Sequence, residues 1–534
     1  MTSGRLLEGT ASQPATRAED AAQPRTHRFP YDWGVCAVLL VAGITFRVLG
    51  TGQSLFGDEL FTYDIASRHS IFDVLHALRH SAESTPPLHY VLAWGSTHVG
   101  DPTISVRLPS LLAGAATIVV VFLLARRIAG MTCAVVATGG VALSPFAISY
   151  SIETRAYSLA AFFVACSTLV LVYTVVENRR RMWVLYWLAA TCALYTHYTA
   201  AFPIFAQFLW ALWRSEHRRD VLAAHAGIAL TFLPWLPFVQ GNKLIGIAFG
   251  WPLSFGSAWS AISNDLLGHP GVPLADLPGS AGLAAGAVVL GIALVGAGSL
   301  VISRRRRAIG RPRWARTADI DALRPSEMVL VAAVAGAAPV GLLLYLAASG
   351  VDLYNPRNLS TSLPALFVLI GALVAARGGW LTRIGAVLSL VAVSIGAVQS
   401  LEPRYARPAL RTAARFVESQ ARPGDVVLAA PILPSDDLVL RRDFAVHLHR
   451  KVTMFGLVAY RRRGTAFESV ADPRAWSLAP RRRLFIVGPL FSLGSFRYEF
   501  PRPPARYRLE LLKKLRFAGL VDVELEVYEH RPKR

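Results

Sequence analysis

Two adjacent carboxylates, Asp58 and Glu59, stand just after the first long apolar segment of the chain. They lie in the stretch Thr51–Leu60, TGQSLFGDEL, which follows the apolar run Gly34–Leu49. Ionised acids at the mouth of a membrane helix are costly unless they face water, a cation or a reacting group. A carboxylate in such a place can accept a proton from a hydroxyl group during group transfer. We therefore take this acidic pair as the chemical centre of a membrane enzyme.

Further charged and polar residues stand at the ends of other apolar runs, on the side of the membrane that the charge pattern assigns to the acidic pair. Residues far apart in sequence converge on one cavity when each lies at the same end of a helix bundle. Arginines in such a cavity would hold a phosphate and its growing negative charge, and a groove between helices would take a lipid tail. These parts suit a transferase with a lipid phosphate donor. The residues are Glu83, Arg107, Glu153, Arg155, Tyr157, His197, Tyr354 and Arg357.

Most of these residues also have a purely structural interpretation. Arg107 and Arg155 are equally well explained as interfacial anchors that reach lipid head groups. Glu153 stands two residues before Arg155, so the two would simply pair with each other. His197, between aromatic residues in YTHYTA, is more typical of a packed or interfacial histidine than of a metal ligand. Asp58 resists such an interpretation, because its acidic neighbour adds a second desolvation cost in an apolar context.

Composition and charge place the chain among integral membrane proteins. It has 534 residues, of which 53% are hydrophobic and 17% charged, whereas soluble domains carry about 25% charged residues. The net charge of +21 would suggest nucleic acid for a soluble chain. Here the arginines stand mostly in short connectors between apolar runs, where they orient helices, so no nucleic acid partner is expected. The four cysteines all fall inside apolar runs and show neither a metal spacing nor a disulfide framework.

Arginine clusters alternate with apolar runs and predict about eleven membrane crossings, with a cytoplasmic N-terminus and the acidic pair on the outer face of the cell membrane. An odd number of crossings puts nearly every arginine cluster on one side. The predicted spans are Gly34–Leu49, Ile104–Ala125, Cys133–Ile148, Leu159–Val176, Trp183–Tyr195, Ala200–Trp213, Val221–Val239, Ala281–Ser303, Met328–Ala348, Thr361–Ala376 and Ile384–Ser400.

The sequence divides into three predicted parts. Residues 1–32 are polar and are expected to be a disordered cytoplasmic arm. Residues 33–400 form the polytopic α-helical membrane domain. Its first external loop, 51–103, contains two amphipathic helices, Ile71–His80 and Pro86–Val99, expected to lie along the membrane surface.

The third part, residues 401–534, is predicted to be a small extracytoplasmic α/β domain. It contains one helical pattern, Thr412–Gln420, and three strand patterns, Asp425–Ala430, Leu484–Val487 and Val521–Tyr528. It has no glycine-rich phosphate loop and no catalytic spacing, so the sequence assigns it no chemistry.

Five stretches carry a family resemblance: GDELFTYDIA, TPPLHYVLAWGSTHVGDPTISVRLPSLLAGAATIVVVFLLARRIAG, LSPFAISYSIETRAYSL, ALYTHYTAAF and LYNPRNLSTSLPALFVLIGALV. They resemble the GT-C membrane glycosyltransferases, above all the protein O-mannosyltransferases, the lipid A aminoarabinose transferase and their bacterial relatives. The resemblance covers roughly residues 34–400, and the tail is similar to the small extracytoplasmic domain of some bacterial members. These motifs are specific for the superfamily and say little about the sugar.

The resemblance implies a polyprenyl-phosphate sugar donor, an inverting single displacement and an extracytoplasmic acceptor, which is a glycan, a lipid or a protein. It makes Asp58 the catalytic base and Glu59 its companion acid. Arg107, in the stretch RLPS, matches an arginine at the donor phosphate. Arg357, in NPRN, matches an arginine of a late span with the same implied role.

The second external turn, with Glu153 and Arg155, corresponds to a part of the family close to the active site, and Arg155 is a third arginine implied for the phosphate. Two departures place contacts in doubt. Relatives often carry His or Lys just before the Pro-Pro pair, where this chain has Thr85. The tyrosine usual after the late-span arginine is Asn358 here.

Some relatives bind a divalent cation, for which Glu83 and His197 are the weak candidates here; no other cofactor is implied. Two other functions remain open, a transporter or flippase for a lipid-linked sugar and a non-catalytic assembly protein of the cell envelope. Transporters usually keep charged sites near the bilayer midplane, often between repeated halves. The acids of this chain gather at one rim and no repeat is evident, which favours the enzyme.

Overall fold

The protein, described here from a computed structural model, is a bundle of long helices followed by a mixed β-sheet. The predicted arm up to residue 28 and the candidate ligand Glu83 lie outside the residues that the structure describes. The described residues are 29–80, 85–239, 254–307, 324–429, 444–448, 452–463, 466–471, 483–490, 492–493, 496–499 and 503–530.

Apolar α-helices make up the bundle, and one amphipathic α-helix precedes the sheet. The bounds are Phe29–Gly50, Asp58–Ala66, Ile71–His80, Leu88–Ser96, Pro102–Ser105, Leu108–Leu143, Pro145–Ile152, Tyr157–Val176, Trp183–Thr196, Ala201–Arg214, Arg218–Phe232, Phe255–Leu267, Gly279–Arg307, Pro325–Ser349, Pro356–Leu359, Leu363–Arg377, Gly379–Gln399 and Leu410–Gln420.

Eight stretches of the described chain are long and apolar enough to cross a membrane, which confirms the polytopic helical fold. One of them, Pro102–Leu143, contains the predicted crossing Ile104–Ala125 and the first part of the predicted crossing Cys133–Ile148. Two other predicted crossings form helices of 14 residues, Trp183–Thr196 and Ala201–Arg214. Each is about 21 Å long, which is shorter than a roughly 30 Å hydrocarbon core. The number of eleven crossings therefore stays a prediction.

The chain reverses direction inside the long stretch, because its helix is broken at Ala129 and Gly130, whose backbone angles are not helical. Gly130 has a φ of 76°, a conformation that glycine adopts without the clash of a Cβ atom. The two halves then pack side by side on the first helix. A Cβ atom on Gly43 would lie 2.6 Å from Ile118 of one half and 3.2 Å from Ala142 of the other.

A buried arginine ties the first helix to a helix end inside the bundle. Arg47 is 2% exposed, and its two Nη atoms donate to the carbonyl oxygens of Ala142 and Val141, each at 3.0 Å. The helix ends there because Pro145 has no N–H to donate to the Val141 carbonyl. The guanidinium thus satisfies carbonyl groups that the break leaves unpaired. The next short helix then leads the chain to Glu153.

Ion pairs between arginines and acids gather at one end of the bundle. Arg126 donates to Asp32 at 2.5 Å, and Arg127 lies 3.4 Å from Glu177 and 3.6 Å from Glu327. These side chains come from the ends of four helices that the charge pattern places on one membrane face. The structure thus brings predicted inner-face charges together, while the orientation in the membrane stays a prediction.

The first predicted surface helix, Ile71–His80, has the predicted bounds, and the second runs over Leu88–Ser96. The apolar face of the first packs on protein, because Val74 and Leu78 lie in one cluster with Trp235. This differs from the expectation of a helix that buries its apolar face in the membrane surface.

Within the described residues, eight strands form a sheet in the C-terminal part. The strands are β1 Val426–Ala429, β2 Thr453–Arg463, β3 Ala466–Ala471, β4 Leu484–Leu490, β5 Ser492–Leu493, β6 Phe496–Glu499, β7 Leu509–Phe517 and β8 Asp522–His530. They lie in the order β5-β6-β3-β2-β1-β4-β8-β7, and the central β1 is parallel to both neighbours. The helix Leu410–Gln420 packs its apolar face on β1, β4 and β8, so the α/β character is confirmed; the domain boundaries stay a prediction.

Candidate functional site

Asp58 and Glu59 occupy the first turn of the helix Asp58–Ala66. Negative groups are stabilised there by the partial positive charge of a helix N-terminus. Gly57, which precedes the helix, has a φ of 58°, in the region that favours glycine. The two acids have different surroundings: one is buried in a network of arginines, and the other is about half exposed.

Glu59 is the buried acid, with 1% of its surface exposed. Its carboxylate accepts two hydrogen bonds from Arg107, both of 3.1 Å, one from the Thr154 N–H at 2.9 Å and one from the Phe56 N–H at 3.3 Å. Arg407 is a fifth donor to the same carboxylate. Burial raises the pKa of Glu59, but the two guanidinium groups outweigh it and lower the pKa to about 2. Glu59 is therefore ionised at neutral pH and is a poor proton acceptor.

Arg107 uses all five of its N–H groups on the first loop. Besides its two bonds to Glu59, it donates to the carbonyl oxygens of Thr51, Gln53 and Ser54 at 2.8 to 2.9 Å. The side chain is 0% exposed. To bind a phosphate, Arg107 would have to release one of these partners, so this arrangement makes it the residue that orders the loop. Its predicted role at the donor phosphate stays a prediction.

Asp58 forms an ion pair with Arg357, whose Nη1 donates to Oδ2 at 2.8 Å. The Asp58 side chain is 45% exposed and that of Arg357 is 21% exposed. Asn355 caps the short helix by accepting the backbone N–H of Arg357 at 3.2 Å. Within the described chain, Nε and Nη2 of Arg357 have no hydrogen-bond partner. Arg357, unlike Arg107, therefore has donors left for an anion.

Glu153 occupies the turn between the helices Pro145–Ile152 and Tyr157–Val176. Its carboxylate lies 3.8 Å from Arg407 and is 19% exposed. Burial, with some help from the negative charge of Glu59, raises the pKa of Glu153 to about 7, although Arg407 opposes the shift. A carboxyl group with a pKa near neutrality is suited to accept a proton at physiological pH.

Arg155 contacts hydroxyl groups of the first loop region. Its Nη1 donates to Thr62 at 3.4 Å and to Tyr90 at 3.3 Å. Tyr90 is in turn 3.3 Å from the hydroxyl of Thr85, the position where relatives often carry His or Lys. The second turn and the first loop are thus joined by arginine and hydroxyl contacts.

Tyr157 and His197 lie side by side, with ring centroids 5.3 Å apart. Nδ1 of His197 accepts the Thr199 N–H at 3.3 Å and lies 2.8 Å from its hydroxyl, so the ring caps its own turn. Among the described residues, no group of three or more His, Cys, Asp or Glu side chains is placed to hold a metal ion. A cation site at His197 therefore has no support from its neighbours in this part of the chain.

Tyr354 lines a cavity of about 280 Å³ next to Arg357. Most of the other side chains around it are polar, so it suits a ligand with many hydroxyl groups. These side chains are Ser257, Ser260, Asn264, Asp352, Asn355 and Asn358.

Sequence reasoning missed Arg407, which follows the last membrane helix and reaches both Glu59 and Glu153. No motif surrounds it. The one available signal was the predicted membrane face of this segment. Arg404, Arg407 and Arg411 come after the eleventh predicted crossing, on the outer face, where the positive-inside rule expects few arginines.

Comparison with known proteins shows which family model and which solved structures this chain is similar to. Residues 84–239 match the family model described as dolichyl-phosphate-mannose-protein mannosyltransferase. The crystal structure of apo ArnT from Cupriavidus metallidurans has the same fold, with a TM-score of 0.50 and 13% identity over 95% of this chain and 99% of that one. The match over part of the chain and the shared fold support a GT-C membrane glycosyltransferase, in agreement with the predicted superfamily. The predicted multi-pass membrane character is confirmed.

Two other solved structures are more distantly similar to the glycosyltransferase. The oligosaccharyltransferase of Archaeoglobus fulgidus has a TM-score of 0.44 and 11% identity over 79% of this chain and 64% of that one. Arabinosyltransferase EmbB of Mycobacterium smegmatis has a TM-score of 0.38 and 17% identity over 66% of this chain and 32% of that one. Neither score is high enough to indicate a shared fold. No curated protein matches the sequence.

Proposed function

We propose that this glycosyltransferase moves a sugar from a polyprenyl phosphate to a hydroxyl group of an acceptor on the extracytoplasmic face of the cell membrane. The observation that carries the proposal is the pair of Asp58 and Arg357, a carboxylate joined to an arginine with free donors beside a polar cavity. The name of the matching family model includes dolichyl-phosphate-mannose, a polyprenyl-phosphate sugar donor. The acceptor class remains a glycan, a lipid or a protein.

In the proposed reaction, Asp58 takes the proton of the acceptor hydroxyl as its oxygen attacks the anomeric carbon of the sugar. The bond from that carbon to the phosphate oxygen breaks, and its electron pair stays on the lipid phosphate. Arg357 would stabilise this charge with the N–H groups that Asp58 does not use. A single displacement of this kind inverts the anomeric centre. Glu153 is the second proton acceptor within the same cluster.

The surroundings of the pair would hold the two halves of the donor. The polar cavity beside Arg357 would take the sugar. A separate apolar cavity of about 80 Å³ lies between membrane helices and is lined by Leu266, Val289 and Phe367 among others. A cavity of this volume would take only a short part of an isoprenoid chain, through apolar contacts.

Mass spectrometry of lipid that co-purifies with the protein tests this proposal. We expect Asp58→Asn to retain a glycosylated polyprenyl phosphate, because the donor still binds while proton transfer fails. Arg357→Ala should lose this lipid, because the phosphate loses its cation. Arg180→Ala, which breaks an exposed pair with Asp220 at the opposite end of the bundle, is the matched control and should resemble the wild type.

Identical lipid in the wild type, Asp58→Asn and Arg357→Ala would contradict the proposal. The transporter alternative makes a different prediction. A transporter would move a lipid-linked sugar across the membrane of proteoliposomes and would transfer no sugar to an acceptor. The acids stand at one end of the helix bundle, whereas the charged sites of transporters are expected near the bilayer midplane, which disfavours that alternative.

A further inference from the structure

The segment after the last membrane helix reaches back into the acidic cluster. A short 3-10 helix, Pro403–Tyr405, and the helix Leu410–Gln420 flank this segment. Arg407 lies between them, and its side chain is 12% exposed. The N–H of Leu520 donates to the carbonyl of Ala406 at 2.6 Å, so the segment is also attached to the end of the sheet.

Three consecutive residues of the first loop bond to this C-terminal part. Gln53 accepts the backbone N–H of Arg407 at 3.1 Å, and Ser54 accepts the backbone N–H of Arg411 at 2.9 Å. Leu55 donates its own N–H to Nε2 of His447 at 3.2 Å. These three hydrogen bonds from neighbouring residues hold the first loop against the C-terminal part.

The guanidinium of Arg407 continues this attachment into the site. Nη1 donates to Glu59, and Nη2 lies 3.8 Å from Glu153. The two acids belong to different loops, so a single side chain joins the first loop to the second turn. Arg107 pairs with Glu59, whereas within the described residues Arg407 alone forms ion pairs with both acids.

We propose that Arg407 is a positioning residue of the active site, which holds Glu59 and Glu153 at a fixed spacing and stabilises the ionised form of both. Two nearby carboxylates repel each other unless a cation lies between them. Without Arg407, protonation of one acid is the change that removes this repulsion at the lowest free energy. Glu153 is the acid that yields, because Glu59 keeps its bonds to Arg107 and to two backbone N–H groups.

The charged groups around Glu153 make this outcome specific. Arg407 and, more weakly, Arg155 favour its ionised form, while Glu59 and Asp58 disfavour it. Removing Arg407 deletes the largest favourable charge, so the pKa of Glu153 should rise further above 7. The role in catalysis rests on the proposed function, but the coupling between Arg407 and Glu153 does not.

Infrared difference spectroscopy during a pH titration of the full-length protein in nanodiscs measures this coupling without any substrate. We expect the wild type to show a protonated carboxyl band that titrates near pH 7 and that is absent in Glu153→Gln. Arg407→Gln should raise the midpoint by at least about 1 pH unit. Arg407→Lys should raise it by at least about half as much, because one ammonium cannot replace two Nη atoms.

Arg404→Gln is the matched control, because Arg404 is exposed and pairs with Glu402; its midpoint should equal that of the wild type. An unchanged midpoint in Arg407→Gln would overturn the proposal, and so would an Arg407→Gln protein without a protonated carboxyl band that Glu153→Gln removes. Should Arg407→Gln not fold, an unchanged midpoint in Arg407→Lys has the same meaning. A sugar transfer assay that fails would disprove the proposed function and leave this titration unaffected.

Discussion

The arginines near the acidic pair differ in how many of their guanidinium N–H groups are hydrogen-bonded to the protein itself. Arg107 has no donor left over, and Arg357 keeps Nε and Nη2 free within the described chain. A phosphate oxygen is bound by donors that are not already satisfied. The two residues are indistinguishable as site arginines in the sequence, and this difference predicts a structural role for Arg107 and a binding role for Arg357.

Substitution of these two arginines should have opposite signatures. Arg107→Ala leaves Glu59 and three loop carbonyls without their donor, so it should cost about 3–5 kcal/mol of stability. Arg357→Ala removes a partly exposed pair and should change stability by less than about 1 kcal/mol, but lower turnover at least about 100-fold. Thermal unfolding in the same detergent for all variants measures the change in stability. Native mass spectrometry of bound undecaprenyl phosphate measures the change in donor binding, and a transfer assay measures turnover.

Loss of lipid binding in Arg107→Ala with unchanged stability would reverse the assignment of the two roles. Arg68→Ala is a suitable control for these measurements, because Arg68 forms an exposed pair with Asp64, four residues earlier.

At the scale of elements, local pattern predicted most of the long helices and only part of the sheet, and it missed the short helices Asp58–Ala66 and Phe255–Leu267. The helix Ile71–His80 and the strands β1, β4 and β8 were predicted, because their apolar spacing is regular. β7, LELLKKLRF, was not, since most of its residues are exposed at the edge of the sheet and apolar spacing reports burial. The short strands β5 and β6 offer too few residues for any pattern.

The site was predictable to the extent that membrane topology constrains it. Glu59 contacts both Arg107 and the turn that carries Glu153, because all three parts stand at helix ends on the same side, which arginine positions alone indicate. Arg407 contacts Glu59 from 348 residues away in sequence. No local spacing records such a contact, since it depends on how the C-terminal part docks on the bundle.

Close packing between helices predicts the effect of one glycine substitution. A Cβ atom on Gly114 would collide with Ser151 and lie 3.1 Å from Nε of Arg47. Gly114→Val should therefore destabilise the protein by about 1–3 kcal/mol. The thermal unfolding midpoint tests this, with Gly95→Ala as control, because nothing lies within 4 Å of a Cβ there. A Gly114→Val midpoint equal to that of the wild type would show that this helix contact adapts freely.

At the scale of the whole molecule, the C-terminal part holds the first loop through a histidine that is kept neutral. His447 is 3% exposed. Burial, together with the nearby Arg411 and Arg107, lowers its pKa to about 3. Because the pKa is lower in the folded than in the unfolded protein, the neutral ring contributes stability above about pH 6.5, the unfolded value. That contribution falls as the pH drops from there towards 3.

Acidification should therefore loosen the first loop. We expect the protection of the Leu55 amide against hydrogen exchange, corrected for the intrinsic rate, to fall by up to about tenfold per pH unit below 6.5. His447→Gln retains an acceptor for this amide without the titrating ring, so its protection should vary far less with pH. Equal pH dependence in the two proteins would mean that the histidine does not control the loop.

The bond of Arg47 to the broken helix also sets an order of events while the protein is made. Its acceptor carbonyls lie 94 and 95 residues further along the chain, so at about 5–20 residues per second they leave the ribosome roughly 5–20 seconds later. Until then the newly inserted first helix must keep its charge among lipid head groups or water, because a cation in hydrocarbon is unfavourable by several kcal/mol. Its final depth in the bilayer is reached only when the later hairpin arrives.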